Sequence, residues 1–218
     1  MHFKILVANH THFKHASAIC EMMADAAKVR GTGIAQRKPE YICEKMKEGK
    51  SIIALDKEIP IGFCYIESWE GQKYVANSGL ITHPDYRRSG VAKAIKKATF
   101  NLSKEKFPTA KLFGITTSMA VMKINSDLGY QPVTFSELTK DENFWKGCQT
   151  CTNYDILQRT NKTMCICTGM VCDLSKVNYS EKISTWKNFK NFLEQRKIRI
   201  KQKAKQFPKL NKYINHEK

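Results

Sequence analysis

The chain has no apolar run near the roughly 20 residues that cross a bilayer, so no transmembrane segment is expected. It has no internal repeat and no low-complexity linker, and only 11 Gly and 6 Pro in 218 residues. Repeat arrays and linker-joined modules are thereby set aside. The phosphate-cradling patterns Gly-x-x-x-x-Gly-Lys-Ser/Thr and Gly-x-Gly-x-x-Gly are both missing, which removes the common nucleotide-loop readings. The start, Met1-His2-Phe3-Lys4-Ile5-Leu6-Val7, lacks a signal-peptide layout and reads as a strand, so a cytoplasmic protein is expected. Acids are scarce, with 20 Asp and Glu against 37 Lys and Arg and a net charge of +17. The excess is uneven. Residues Glu181 to Lys218 hold twelve basic and three acidic side chains, more than half of it. The rest is only mildly basic, which suits an anionic ligand better than a nucleic-acid function for the whole chain.

What the sequence does have is a strand, a basic turn and a helix in direct succession. Val75 to Ile81 is apolar, Arg87-Arg88-Ser89-Gly90 is the turn, and Val91 to Phe107 has helical spacing. The first amides of a helix lack intrahelical partners and carry the positive end of its dipole. Gly90 lets backbone approach a ligand closely, Ala92 keeps the next turn small, and Arg87 and Arg88 add charge. The pattern predicts a pyrophosphate-like ligand.

Periodicity places the other elements. Strands are expected at Phe3–Ala8, Ser51–Leu55, Ile59–Glu67, Tyr74–Thr82, Lys111–Thr116, Gln131–Phe135 and Met164–Cys172. Helices are expected at Ala16–Val29, Pro39–Lys47, Gly90–Phe107 and Ser118–Leu128, the last closed by Gly129. The result is an α/β domain over residues 1–175. Residues 176–218 form a separate basic extension, in which Trp186, Phe189, Leu193, Ile200 and Phe207 could stripe an amphipathic helix ended by Pro208. Its readings are packing on the domain or on a second subunit as a homodimer, then contact with nucleic acid or an anionic membrane.

Arg87-x-x-Gly90-x-Ala92, preceded by Leu80-Ile81-x-x-Pro84, resembles the signature of the GCN5-related N-acetyltransferases, over roughly residues 3 to 172. The resemblance implies a mixed central sheet flanked by helices, with splayed fourth and fifth strands and the pantetheine of an acyl-coenzyme A in the wedge. Arg87, Arg88, Ser89, Gly90, Val91, Ala92 and Lys93 would then bind the pyrophosphate. Backbone groups of Ile81 and Thr82 would position the thioester and its oxyanion. Direct transfer needs a base for the amine and no covalent intermediate. Glu67, at the end of the third strand, is the candidate base, with Ser78 and Asn77 holding a relay water; a solvated strand end is the plain alternative. Histidine is a common general base, but His83 precedes the expected phosphate turn. Many relatives carry an acidic tyrosine four residues before a Gly-aromatic pair. Here the pair is Gly129-Tyr130 and the position is Asn125, an amide that cannot act as an acid. It is left to hydrogen-bond the pantetheine or the sulfur, with water as proton source.

The loop between the first two helices should bind the acceptor. Arg30, Thr32 and Arg37 suit a carboxylate, with Lys123 a further candidate and a plain basic surface loop the alternative. Arg30-Gly31-Thr32-Gly33-Ile34-Ala35, together with the segment from Ala120 to Leu138, resembles a Bacteroidetes group of these transferases associated with arginine biosynthesis as N-acylglutamate synthases. That resemblance implies glutamate as acceptor and acetyl- or succinyl-coenzyme A as donor. The alternatives are another small-molecule or protein amine and, from a different class, a coenzyme-responsive binding protein acting through the basic tail.

Of eight cysteines, Cys20, Cys43 and Cys64 read as core residues. Cys148-x-x-Cys151 and Cys165-x-Cys167 could make a structural zinc site. If the second pair lies in a strand, its two thiols share a face. Reduced thiols are the competing reading, and a disulfide is the third.

Overall fold

A computed structural model describes residues 2–30 and 37–177 of the chain. Thr32, the side chain of Arg30 and the expected helical tail therefore lie outside the described residues.

The elements run β1 (Lys4–Val7), α1 (Ala16–Arg30), α2 (Pro39–Lys47), β2 (Ser51–Asp56), β3 (Ile59–Trp69), β4 (Tyr74–Thr82), α3 (Val91–Lys106), β5 (Lys111–Thr116), α4 (Met119–Asp127), β6 (Gln131–Val133), α5 (Glu142–Lys146), α6 (Tyr154–Arg159) and β7 (Thr168–Asp173). The seven strands form one sheet in the order β1-β2-β3-β4-β5-β7-β6. Every neighbouring pair is antiparallel except β4 and β5. The α/β order read from the sequence is observed, with α5 and α6 added between β6 and β7. No helix among the described residues is long and apolar enough to cross a membrane.

Alternation along β3 and β4 sorts the core into two faces. Phe63, Tyr65 and Ile81 turn toward α1 and α2, packing with Ile19, Met23 and Ile42. Cys64, Ile66 and Val75 turn the other way, onto Val91, Ile95 and Phe100 of α3. The helix comes very close. A methyl on Gly62 would lie 2.5 Å from Ile95 Cδ1.

Three departures from expectation matter. β3 runs on to Trp69, so Glu67 lies inside the strand, directly opposite Ala76. Two short helices, α5 and α6, fill a stretch to which the sequence reading assigned no element. They cover a third cluster in which Phe135, Leu138 and Trp145 pack on Tyr74, Ala76 and Phe113. Glu70 fastens this excursion by accepting from Thr139 Oγ1 at 2.6 Å and from the Lys140 amide at 2.8 Å. Finally, β7 begins only at Thr168, so Cys165 and Cys167 are not strand residues. Asn161 and Lys162 turn the chain there with positive φ, and Thr160 Oγ1 donates to the Met164 carbonyl at 2.7 Å.

The feature that shapes the middle of the sheet is a bulge. Phe63 pairs with Ile81 but Tyr65 with Ser78, so Gly79 and Leu80 together face Cys64. A bulge bends its strand and raises its twist. Gly79 has φ +63°, and a Cβ there would lie 2.3 Å from the buried Tyr65 ring. Gly79→Ala is expected to cost roughly 2–4 kcal/mol in a denaturant titration, from left-handed backbone strain plus overpacking. Wild-type stability in that variant would mean that the bulge does not depend on this glycine.

Candidate functional site

β4 and β5 pair over only three residues, Tyr74 with Lys111, Val75 with Leu112 and Ala76 with Phe113. Beyond Ala76 the strands part. β4 stays with β3, and β5 stays with β7 through Thr116. Two strand edges then face each other with unspent backbone groups, which water or a ligand must satisfy. The gap between them is a cleft of about 370 Å³ that takes lining from both faces of the sheet.

Ladder parity tells which backbone groups face the gap. His83 N donates to Ile61 O at 2.8 Å, and Phe63 lies opposite Ile81. In an antiparallel ladder such hydrogen-bonded pairs alternate with pairs whose amides point away. Ile81 therefore bonds toward β3, and Thr82 turns its backbone to the open side. Of the two expected positions, Thr82 has the outward amide.

After β4 the chain makes the turn in which the anion site is expected. Arg88 and Gly90 take positive φ, +63° and +89°. Gly90 caps α3 with no side chain involved, and the first intrahelical bond runs from Ala94 N to Gly90 O at 3.0 Å. The amides of Val91, Ala92 and Lys93 precede that bond. Nothing lies within 4 Å of a Cβ built on Gly90, so its approach is open. Arg87 and Arg88 are exposed beside it. Ser89 donates its hydroxyl to Tyr86 O at 2.5 Å and thus shapes the turn. Tyr86 in turn donates to Asp56 Oδ2 at 2.7 Å, which ties the turn to the end of β2. Lys93 reaches Asp127 at 3.4 Å and links α3 to α4. His83 lies against Asp85 and Tyr86 and does not line the cleft.

One end of the cleft is built from α2 and β3. Glu67 faces Ala76, the last β4 residue paired to β5, and so sits where the strands part. It accepts the hydroxyl of Tyr41. Arg37 donates through Nε to Tyr65 Oη at 2.9 Å and lies over the Tyr41 ring at 5.2 Å. Burial raises the pKa of both tyrosines, and for Tyr41 the bond to Glu67 adds to it, so both stay neutral. Ser78 pairs with Tyr65 and shares Glu67's face, but Asn77 does not. The Asn77 amide donates to Ser103 Oγ at 2.7 Å and accepts from Tyr130 at 3.2 Å, on the α3 side. The relay pair is thus reduced to Ser78. Lys123 is exposed on α4, whose Val121 and Asn125 line the cleft instead, so it is no acceptor ligand there.

Asn125 is 2 % exposed. Its amide nitrogen contacts Met170 Sδ at 3.7 Å, while Oδ1 is buried with no partner among the described residues. A buried acceptor of this kind is costly unless a donor arrives. It suits an amide N–H of an extended ligand lying along the open strand edges.

One residue at the cleft escaped the sequence reading. Lys96 of α3 is 3 % exposed, with Nζ 5.2 Å from the Tyr130 ring centroid. Burial pushes its pKa down to about 8. The signal was present, because positions 92, 95, 96, 99 and 103 form the inward stripe of a helix with 3.6-residue periodicity. The charge at 96 disguised it.

The four clustered cysteines surround a neighbouring cavity of about 120 Å³. All are free thiols. Burial first, then one another's charge, pushes Cys148 up to about 11 and Cys167 up to about 12. Among the described residues no group of three or more His, Cys, Asp or Glu is placed to hold a metal ion, so the zinc reading finds no support. The second pair precedes β7, and the shared strand face on which that reading leaned is absent.

No family model matches the chain, and no curated protein matches it in sequence. Solved structures do match it in shape. The chain is similar to N-acetylglutamate synthase from Neisseria gonorrhoeae in complex with coenzyme A and N-acetyl-glutamate, at 14% identity and a TM-score of 0.54. That match covers 80% of this chain and only 35% of the synthase. It is similar to a phosphinothricin acetyltransferase from Sinorhizobium meliloti in complex with acetyl-CoA, at 12% identity and TM-score 0.54, over 83% of this chain and 93% of that one. An N-acetyltransferase from Staphylococcus aureus Mu50 matches at 13% identity and TM-score 0.53, over 80% and 99%. The fold is that of the GCN5-related N-acetyltransferases.

Burying an amine disfavours its charged form, so Lys96 opposes folding at neutral pH. Its folded pKa of about 8 lies below the ordinary lysine value of 10.5. The penalty is full below pH 8 and fades as pH rises from there toward the unfolded value. Lys96→Met is therefore expected to unfold at higher denaturant at pH 7, with a gain of roughly 1–3 kcal/mol after loss of the ring contact. The gain should shrink by pH 10. A variant less stable than wild type at pH 7 would refute this account.

Proposed function

We propose that the chain is an acyl-coenzyme A-dependent N-acyltransferase that transfers the acyl group directly to a small amine. The observation that carries this reading is the parting of β4 and β5 past Ala76, which opens a cleft with unspent backbone edges in the sheet whose fourth strand leads to the open N-terminus of α3. The chemistry of the two parts suits one ligand type. A pyrophosphate fits Gly90 and the first amides of α3, with Arg87 and Arg88 beside them. An extended amide-bearing arm fits the strand edges, and an amide N–H in that arm satisfies Asn125 Oδ1. The Thr82 amide then stands near the thioester, where it can stabilise a tetrahedral oxyanion.

The acceptor end has paired functions. Glu67 serves as the base that takes a proton from the amine, with Ser78 on the same face. Its Oε1 holds Tyr41, and a carboxylate keeps a second oxygen for a substrate or water. Arg37 offers a guanidinium to a carboxylate-bearing acceptor. Trp69 and Phe144 wall this end, packed on the buried Phe113 with ring centroids 4.9 to 5.5 Å apart, which favours a small molecule over a protein loop. Glutamate is the acceptor we favour, in arginine biosynthesis. Arg37 and the segment resemblances support it, as does the product bound to the similar Neisseria enzyme. Arg30 and Thr32 complete this proposed clamp. The donor is acetyl- or succinyl-coenzyme A.

The test is thiol release from each donor with and without glutamate, with products identified by mass spectrometry. Glutamate-dependent release of an N-acylglutamate is expected. Coenzyme binding without that product would move the search to other amines. Gly90→Glu should weaken coenzyme affinity at least ~100-fold, since it sets a carboxylate among phosphates in a strained backbone position. Unchanged affinity in the folded variant would displace the pyrophosphate from this turn. Arg37→Ala should raise the KM for glutamate roughly 10- to 100-fold, the value of a lost charge-assisted bond, with far less effect on the donor's KM.

A further inference from the structure

Lys96 is the only ammonium among the described residues that line the cleft. It sits on the α3 face that packs on β3 and β4, across the sheet from Glu67. From β3 the Cys64 thiol faces it and, among the described residues, is the ionisable group that acts on its charge. From the segment after α4 comes the Tyr130 ring, whose hydroxyl is committed to Asn77 of β4. β1 and β2 turn apolar side chains such as Ile5, Ile52 and Ala54 to the same cluster. No carboxylate on any of these elements answers the amine.

A buried cation with no counter-ion is held at a cost, and its natural complement is a charge that appears during the reaction. In acyl transfer from a thioester, that charge is the departing thiolate. The strand gap opens to both faces, so the acceptor and Glu67 lie on one side while Lys96 and Asn125 lie on the other. We infer that Lys96 is the catalytic acid, delivering its proton to the coenzyme sulfur as the acyl group leaves. This rests on the acyl-transfer reading above. As the acceptor nitrogen bonds to the carbonyl carbon, the carbon–sulfur bond breaks and its electron pair stays on sulfur. The proton moves from Lys96 Nζ to that sulfur. The proton released by the acceptor nitrogen passes to Glu67 and returns through cleft water to Lys96. One N–H proton of the acceptor thus ends on the thiol, and the enzyme is unchanged.

The environment fits the task. A pKa of about 8 lets the amine be protonated at neutral pH and still release its proton within a turnover, whereas an ordinary lysine holds it more tightly. Asn125, which has no proton to give, is left the part of accepting an amide N–H.

The experiment needs no acceptor. Bound coenzyme A is titrated by its ultraviolet thiolate absorbance, as the difference between complexes with coenzyme A and with desulfo-coenzyme A, which cancels the protein's own thiols. Wild type is compared with Lys96→Met and Lys96→Gln. Removing an adjacent ammonium should raise the thiol midpoint by about 1 pH unit or more, a tenfold change in acidity. Both variants should bind coenzyme A about as wild type does. Coenzyme binding with identical thiol midpoints would overturn the acid assignment and leave the transferase reading standing. Failure of wild type to bind coenzyme A would overturn both.

Discussion

The parallel strands β4 and β5 share hydrogen bonds only from Tyr74 to Ala76, and every backbone group beyond that point on the facing edges needs another partner. The rest of the molecule is arranged around that shortage. The bulge at Gly79 and Leu80 bends β4 away while keeping it paired to β3. The antiparallel ladder of six residue pairs between β5 and β7 holds β5 in the other direction. Neither strand can close the gap without breaking bonds on its far side. The opening is therefore a stable feature of the sheet, and a ligand that completes both edges is bound by backbone geometry that single side-chain changes do not erase.

A gap through a sheet also joins two environments that a closed sheet would separate. On the α1 and α2 side stand Glu67, Arg37, Tyr41 and Tyr65, polar groups that satisfy one another. On the α3 side stand Lys96, Asn125 and Asn77, set in an otherwise apolar cluster. The first set is suited to recognising a charged small molecule reversibly. The second is suited to acting on whatever is threaded between the strands, because water is scarce there and each charge counts for more. The division of labour follows from strand parity. Glu67, Ala76 and Ser78 must share one face, and Cys64 and Asn77 must share the other.

Much of this was legible in the sequence, for reasons that differ by element. β4, β5 and α2 fall at the expected residues because their boundaries carry strong local signals, Pro39 for the helix and polar turns for the strands. The start of α3 was legible because a glycine stands where the backbone takes a φ of +89°, a value that favours glycine. α5 and α6 were missed because each is under two turns long and gains its stability from tertiary packing of Trp145 and Leu157, which local periodicity does not reveal. The cysteine strand failed because the turn at Asn161 and Lys162 uses non-glycine residues at positive φ, leaving no glycine to mark it. Asn77 was paired with Ser78 as neighbours in sequence, though strand neighbours point to opposite faces.

Lys96 shows why the chemically active part is the hardest to read. Hydrophobic patterning treats a charged residue as a surface residue, and that rule holds because burying an amine opposes folding. A buried exception therefore persists against the stability gradient, and it needs either a fixed partner or a use. Among the described residues the fixed partner is only an aromatic ring and a neutral thiol, too little to hold a permanent charge. Stability alone would favour a methionine or leucine between Ile95 and Thr99, completing the packing of α3 on β3. The amine stands instead where two neighbouring strands inside the sheet part. There its cost to folding coincides with access to a ligand, as expected where a protein gives up stability for function.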